Sequence, residues 1–122
     1  AAGEAGEGII FPGSRLLVAQ QLPDDHPQKE ILVAYKRNYE ATYEEDASAF
    51  GGYAYDALML VLNAVEEVGT DRTAVRDRLE TTVDFPGVTG VFSFSAQDHN
   101  GLGLDAFELL TVKDGKFVIY QP

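Results

Sequence analysis

The chain has 122 residues, 45% of them apolar and 24% charged, which is typical of a single globular domain. Nine basic residues against twenty acidic ones give a formal net charge of -11 and a pI near 4.4. This balance argues against nucleic acid or an anionic membrane as a partner, because both require a basic surface. The absence of cysteine excludes disulfides, cysteine-ligated metals and thiol nucleophiles.

The first eight residues, AAGEAGEG, lack the basic start and the apolar stretch of a secretory signal peptide. Their glycines resemble a phosphate-binding loop only superficially, because Glu4 and Glu7 would repel a phosphate and no Lys-Ser/Thr pair follows. A loosely held terminus is therefore expected here. Such a beginning is uncommon in a natural gene product, so we expect the chain to be part of a longer protein.

Short apolar runs at residues 9–11 and 16–19 predict two strands. A connector over residues 20–27 then leads into an amphipathic helix over about 28–43, with Pro27 at its first position and Asp25 or His26 near the cap. The apolar stripe of this helix recurs every four positions, at Ile31, Tyr35, Tyr39 and Tyr43.

The longest helix is predicted from Ser48, a candidate N-cap, to Val68. Gly69 is expected to end it in a left-handed conformation. The apolar residues of this helix cover more than one stripe, so the sequence predicts burial on two sides. A shorter helix, capped by Thr70 or Asp71, follows to about residue 82.

The remainder of the chain is predicted to be β. Strands are expected at residues 90–95, 107–112 and 117–120, and Asp114-Gly115 predicts a hairpin between the last two, because a type I′ turn needs positive φ at both central residues. The fold class is α/β, with three helices packed on short strands plus a C-terminal β-hairpin. The helices carry more apolar surface than these strands can cover, which indicates a sheet encoded elsewhere.

The sequence contains no recognisable catalytic constellation. His26 and His99 lie in predicted loops, and the serines lack a nucleophile-elbow setting. Asp98, Asn100 and Gly103 fit positions 1, 3 and 6 of an EF-hand loop, but leucine occupies positions 5 and 12, where oxygen ligands are required. We therefore expect a polar turn at Asp98, and neither a metal site nor a cofactor.

Phe50 and Tyr53, at the start of the long helix, are the candidate binding residues. Gly51-Gly52 follows Phe50 directly, at a cost of about 1 kcal/mol per glycine relative to alanine in a helix interior. In one interpretation the glycines allow close backbone packing and the aromatic rings fill the core. In the other, the first helical turn lines a cleft and Phe50 presents an apolar face to a ligand.

Four segments share an order and spacing with a known family: AGEGII at residues 5–10, FGGYAYDAL at 50–58, GVTGVFSF at 87–94 followed by DHNG, and the Asp114-Gly115 hairpin. In these segments the chain resembles the C-terminal third of the type I periplasmic solute-binding proteins. The match is to the branched-chain amino acid (leucine/isoleucine/valine) binding family of ABC transporters in particular. The resemblance implies a fragment of the two-lobe type I periplasmic-binding-protein fold, in which hinged lobes close on a ligand.

By this resemblance, residues 1–20 belong to the C-terminal lobe, residues 21–105 to the N-terminal lobe, and residues 106–122 return to the C-terminal lobe as the hairpin. Phe50 matches the family position whose ring borders the ligand side chain, and Tyr53 is a weaker neighbour. The family residues that hold the ligand's α-carboxylate and α-ammonium groups lie mostly upstream of residue 1.

The implied function is the extracytoplasmic substrate-binding component of an ABC importer for branched-chain amino acids or a related small polar solute, without chemistry. Its expected partners are the small-molecule ligand and the membrane permease, at a periplasmic or extracellular location, membrane-associated if lipidated upstream. The alternative is a ligand-sensing domain of a receptor or regulator with the same fold. An independent small α/β enzyme would require catalytic residues that the sequence lacks. The chain by itself is expected to bind solutes weakly or not at all, and to self-associate through its uncovered apolar faces.

Overall fold

The computed structural model describes residues 3–122 and has mixed α/β architecture. Three α-helices run over Lys29–Tyr43 (α1), Ala49–Val68 (α2) and Arg72–Leu79 (α3). Three 3-10 segments cover Gly3–Gly6, Arg15–Gln21 and Leu104–Ala106. The strands are Ile10–Ser14 (β1), Phe85–Pro86 (β2), Val91–Phe92 (β3), Phe107–Lys113 (β4) and Lys116–Ile119 (β5).

Helix α1 begins two residues later than a helix started by Pro27 would. The backbone carbonyl of His26 accepts from Lys29 N–H at 2.9 Å, and His26 Nδ1 accepts from Gln28 N–H at 3.2 Å. A turn therefore satisfies the first amide donors and moves the helix start to Lys29. The helix ends as expected at the acidic segment, where Glu44 adopts the left-handed conformation (φ 55°, ψ 28°).

Helices α2 and α3 begin where their caps predict. Ser48 caps α2, and the Asp71 carboxylate caps α3 by accepting from Ala74 N–H at 2.9 Å. Gly69 ends α2 with a positive φ of 76° but a ψ of -164°, so the left-handed helical conformation expected there was wrong. Helix α3 ends at Leu79, three residues before the predicted end, because the next amides, Thr81 N–H and Thr82 N–H, donate to carbonyls three residues back and form tighter turns.

Residues 16–19 do not form the predicted strand. Ser14 Oγ accepts from Leu16 N–H at 3.3 Å and starts the 3-10 segment Arg15–Gln21, which buries Leu16, Val18 and Ala19. A short apolar run does not distinguish a strand from a helical turn by periodicity, and here the local serine cap decides.

Strands β1, β4 and β5 form one antiparallel sheet in that order, so residues from both ends of the chain share a sheet. Pro12 lies on the edge strand β1, where its missing N–H costs no ladder bond. The hairpin between β4 and β5 is confirmed, and Asp114 (φ 52°) and Gly115 (φ 73°) supply its two positive φ angles.

Two further predictions, one for the N-terminal segment and one for residues 90–95, need correction. The first glycine-rich residues are held rather than loose, because the Glu7 carboxylate accepts from Asp114 N–H at 3.0 Å and Gly115 N–H at 2.6 Å; residues 1 and 2 of that segment lie outside the described residues. The strand predicted over 90–95 is reduced to Val91–Phe92. After Phe92, Ser93 N–H donates to the Gly101 carbonyl and Phe94 N–H donates to the Thr82 carbonyl, so neither amide takes part in a strand ladder.

The core lies between the 15–21 segment, α1 and the turn after β2. Its buried members are Leu16, Ala19, Leu22, Leu32 and Val88. Helix α2 contributes only one buried stripe, and its predicted burial on two sides was wrong. The exposed apolar residues of α2 include Leu58 (56%), Val61 (43%) and Leu62 (44%). Among the described residues no second layer covers this face.

Candidate ligand-binding surface at the start of helix α2

The first turn of α2 is held by a serine cap. Ser48 has extended backbone angles (φ -101°, ψ 154°), its Oγ accepts from Gly51 N–H at 3.1 Å, and its carbonyl accepts from Gly52 N–H at 3.1 Å. Two of the amides that a helix start leaves free are thereby satisfied. The cap fixes the direction in which the next side chain, Phe50, leaves the helix.

Gly52 is the contact point between α2 and the core. A Cβ atom built there would lie 2.9 Å from Leu16 Cδ2, closer than real Cβ atoms approach, and 3.0 Å from Thr89 Cγ2, which is tighter than most real contacts. At Gly51, by contrast, the nearest atom to such a Cβ is the mobile end of Tyr35, its hydroxyl oxygen, at 3.3 Å. Close packing therefore accounts for Gly52, although the atoms that approach it belong to side chains and not to the neighbouring backbone that one sequence interpretation expected.

Phe50 points away from the core. Each helical residue turns the direction by about 100°, so Phe50 lies about 200° from Gly52 around the axis, on the opposite face. Its side chain is 85% exposed, and that of Tyr53, on the neighbouring face, is 43% exposed. The interpretation that Phe50 fills the core was wrong for the described structure. The structure therefore shows Gly52 packed closely against the core and Phe50 facing outward from the same helical turn.

Asp56 is the residue of this helix that sequence reasoning missed. It lies four positions after Gly52 on the buried stripe and is 1% exposed. Its carboxylate accepts from Val88 N–H at 2.7 Å, Thr89 N–H at 2.7 Å and the Thr89 hydroxyl at 2.5 Å. A carboxylate on the same helix face as a tightly packed glycine is the signal that could have identified it.

The other polar segments considered from sequence form local turns. Asp98 accepts from Asn100 N–H at 2.9 Å, which makes an Asx turn rather than a ligand shell. His99 Nε2 lies 3.1 Å from Glu80 Oε1 at an exposed position. Within residues 3–122 no three His, Asp or Glu side chains gather closely enough to hold a metal ion.

A family model described as periplasmic binding protein matches residues 2–116. The chain belongs to the type I periplasmic binding protein family. This is a family of ligand-binding rather than catalytic proteins, and the resemblance in the four sequence segments is confirmed. No curated protein sequence matches the chain significantly.

Solved structures of bacterial binding proteins share the fold. A protein of Rhodopseudomonas palustris has 29% identity and a TM-score of 0.87, covering 98% of this chain and 36% of its own. An extracellular ligand-binding receptor from R. palustris HaA2 has 32% identity and a TM-score of 0.85, with the same coverage. A candidate branched-chain amino acid ABC transporter from Rhodospirillum rubrum has 26% identity and a TM-score of 0.68, covering 97% and 32%. The chain thus spans about a third of the length of these structures.

In this binding-protein chain, two of the matching segments contact each other. The FGGYAYDAL helix reaches the GVTG turn through Asp56, and the same turn is held from a second side by Gln28, whose Nε2 donates to Gly87 O at 3.0 Å. Gln28 is 3% exposed, and its Oε1 accepts from Arg15, which also donates to Glu108 on β4 at 3.1 Å. A continuous polar network therefore connects the sheet to the helix that carries Phe50.

The surface around Phe50 is suited to contact rather than to acid-base chemistry. The nearby buried carboxylate, Asp56, already accepts three hydrogen bonds. Three grooves of 420 to 510 Å³ lie elsewhere among the described residues, and neither Phe50 nor Tyr53 lines them. Phe50 thus forms part of an open wall. Among residues 3–122, none of the helices has the length and apolar character needed to cross a bilayer.

Proposed function

We propose that this chain is part of the substrate-binding component of an ABC importer for branched-chain amino acids or a related small polar solute. The observation that carries the proposal is the 85% exposed ring of Phe50, held outward at the start of a helix whose other face is fixed by Gly52 and Asp56. An apolar ring on a rigid support loses little conformational entropy when a ligand side chain packs against it. Tyr53 is the proposed second contact.

The proposed two-lobe division places residues 1–20 and 106–122 in one lobe and residues 21–105 in the other. Strands β1 and β4, which lie near these proposed boundaries, pair over their full shared length. Ligand-binding proteins of this type close by hinge rotation about crossing segments. The pairing of β1 with β4 supports placing residues 1–20 and 106–122 in the same lobe, and Phe50 then lies on the 21–105 lobe.

The proposed partners are the solute and the membrane permease of the importer, at an extracytoplasmic location. The permease is supported by the R. rubrum relative, which is described as an ABC transporter component, and the location by the R. palustris receptor, which is described as extracellular. Because the chain spans 36% of the R. palustris structures, the second wall of the cleft is proposed to come from polypeptide with no counterpart in these 122 residues.

The test is a thermal-shift screen of amino acids and related solutes on the full-length protein that contains this chain, followed by calorimetry. Phe50→Ala should weaken the binding of an apolar amino acid about tenfold or more, since a buried aromatic contact contributes about 1.5–3 kcal/mol. Val83→Ala, at a side chain that is 69% exposed, is the matched control and should keep the affinity. Unchanged affinity in Phe50→Ala would show that Phe50 does not contact the ligand. Micromolar leucine binding by the 122-residue chain alone would contradict the proposal that other polypeptide supplies the second wall of the cleft.

A ligand-sensing domain of a receptor or regulator is the second candidate. The description of the R. palustris relative as an extracellular ligand-binding receptor is the observation that favours it. The adjoining sequence separates the two functions. A signal peptide or lipobox preceding the remainder of the fold supports the importer, whereas a transmembrane helix or a helix-turn-helix supports the sensor.

A further inference from the structure

Four tyrosines line a groove between α1 and α2 that the proposed function does not use. The tyrosine groove consists of Tyr35, Tyr39 and Tyr43 on α1 and Tyr55 on α2, and it has a volume of about 420 Å³. Ring centroids are 4.8 Å apart for Tyr39–Tyr43, 6.0 Å for Tyr35–Tyr39 and 4.9 Å for Tyr35–Tyr55. The four rings therefore form a continuous aromatic wall, in which the α1 stripe with a period of four residues supplies three rings and α2 supplies Tyr55.

Tyr35 packs against the core at the inner end of this wall, whereas the outer end is accessible. Tyr43 is 62% exposed and Tyr55 is 38% exposed, and Leu32 is the one residue of α1 that is fully buried. The ring pairs are tilted by 32° to 55°, so their faces are not covered by parallel stacking. Exposed aromatic faces carry the negative part of the ring quadrupole and attract cations.

The charges around the open end of the groove favour a cation as well. Helix α1 ends beside Tyr43 with no basic residue in its last turn, so the negative end of its dipole is uncompensated. The exposed residues Glu44, Glu45 and Asp46 follow directly, within about 11 Å of Tyr43 by chain length, which is close to one Debye length at physiological salt.

The basic residues of α1 do not offset this potential at the groove. Lys29 Nζ, at the far end of the helix, pairs with Asp24 Oδ1 at 2.6 Å. Lys36 Nζ lies 3.0 Å from Glu40 Oε1 in an ion pair four residues apart. Arg37 lines a different groove, together with Asp24 and Asp25. The aromatic wall and the acidic end of the helix therefore both favour binding of a cation in the groove.

We propose that the tyrosine groove binds a small organic cation of the quaternary or substituted ammonium class. The ammonium group lies against the faces of Tyr39 and Tyr43, and the acidic segment Glu44–Asp46 attracts it electrostatically. The groove borders the first turn of α2 at Gly51, but neither Phe50 nor Tyr53 lines it, so the cation site can be tested separately from the proposed solute.

The test compares choline with its neutral isostere 3,3-dimethyl-1-butanol in NMR titrations of the full-length protein that contains this chain. Choline should bind saturably with a Kd of about 1–10 mM and about two- to fivefold more tightly than the isostere, as expected for cation–π contacts of about 0.5–1 kcal/mol at an accessible site. Shifts should concentrate on residues 35–46 and 55. Equal binding of the two compounds would show an apolar groove only, and no choline binding up to about 100 mM would exclude the site; either result overturns the proposal.

Variants locate the contact. Tyr43→Leu should weaken choline binding about threefold or more, whereas Tyr43→Phe, which keeps the ring, should stay within about twofold of the wild type. Glu44→Gln combined with Glu45→Gln should lower the affinity at low salt and reduce its salt dependence. Phe117→Leu, on β5, is the control and should leave choline binding unchanged. An unaltered affinity in Tyr43→Leu, with circular dichroism confirming its fold, would overturn the assignment.

Discussion

Asp56 accepts a hydrogen bond from the backbone N–H of Val88 at 2.7 Å, across 32 positions of the chain. Its second oxygen accepts from the next residue, Thr89, through both N–H and hydroxyl. A buried carboxylate that receives two backbone amides and a hydroxyl is stable without a cationic partner, because charge-assisted hydrogen bonds replace its hydration. The helix that carries Phe50 and the turn at residues 87–90 are thereby joined into one rigid unit.

Replacing Asp56 should strongly destabilise this unit. Asp56→Ala leaves two buried N–H groups without an acceptor, so the free energy of unfolding should fall by at least about 3 kcal/mol. Urea denaturation followed by circular dichroism measures this loss. Asp77→Ala is the control, because Asp77 pairs with Arg76 at the surface and should change stability by less than about 0.5 kcal/mol. A similar small effect at Asp56 would contradict its anchoring role.

Substitution by alanine should change the stability of the chain in opposite directions at the adjacent residues Gly51 and Gly52. At Gly52 the new methyl group would meet Leu16 Cδ2 at 2.9 Å, so overpacking of about 1–3 kcal/mol outweighs the gain of about 1 kcal/mol in helix propensity. At Gly51 only the Tyr35 hydroxyl must move, and Gly51→Ala should stabilise the chain by about 0.5 kcal/mol. Thermal unfolding of the two variants side by side checks the contrast, and two shifts of equal sign would argue against the packing described.

The starts of α2 and α3 and the C-terminal hairpin turn were the most predictable parts of the fold. Ser48 and Asp71 start α2 and α3 by accepting hydrogen bonds from amides three residues away, and Asp114-Gly115 forms its turn through its own φ angles. Such interactions depend on residues close in sequence, so the local pattern suffices. The order of four short segments was enough to identify the family.

Features that depend on distant residues were missed. Asp56 looks like any polar helix residue until the turn at residues 87–90 is placed beside it. The apolar run at 16–19 became a 3-10 segment through the Ser14 cap and burial against Leu32. For Phe50, aromatic spacing was compatible with either core or surface, and only the position of Gly52 against Leu16 determines which face of α2 is outward.

Phe50→Ala should leave the stability of the 122-residue chain nearly unchanged. Truncation of a core phenylalanine costs about 3–5 kcal/mol, whereas a side chain that is 85% exposed should contribute less than about 0.5 kcal/mol. The free energy of unfolding from urea denaturation distinguishes these values. Leu110→Ala, at a position that is 0% exposed, is the positive control and should lose about 2–5 kcal/mol. A loss of unfolding free energy in Phe50→Ala comparable to that in Leu110→Ala would show that Phe50 packs in the core.

Stability should decline at alkaline pH through Tyr35. Burial, reinforced by the negative charges that Tyr39 and Asp56 carry when ionised, raises the pKa of Tyr35 above its usual 10.0. The folded chain then holds this proton more tightly than the unfolded chain, so the stabilisation is complete below pH 10.0 and is lost as the pH rises through the folded pKa. In urea titrations above pH 10.0, Tyr35→Phe should lose less stability than the wild type, while Tyr120→Phe should follow the wild type. Identical declines for the wild type and Tyr35→Phe would exclude Tyr35 as the cause.

The exposed face of α2 should drive self-association of the 122-residue chain. Leu58, Val61 and Leu62 are 56%, 43% and 44% exposed on one helix, and contiguous apolar surface of this kind favours pairing in water. Light scattering after size exclusion should show a mass that rises with concentration above 13.3 kDa. Leu58→Glu should restore the monomer mass because it buries a charge in the contact. Val83→Glu, at an exposed position outside α2, should still associate. If both variants behave alike, the association does not use this face.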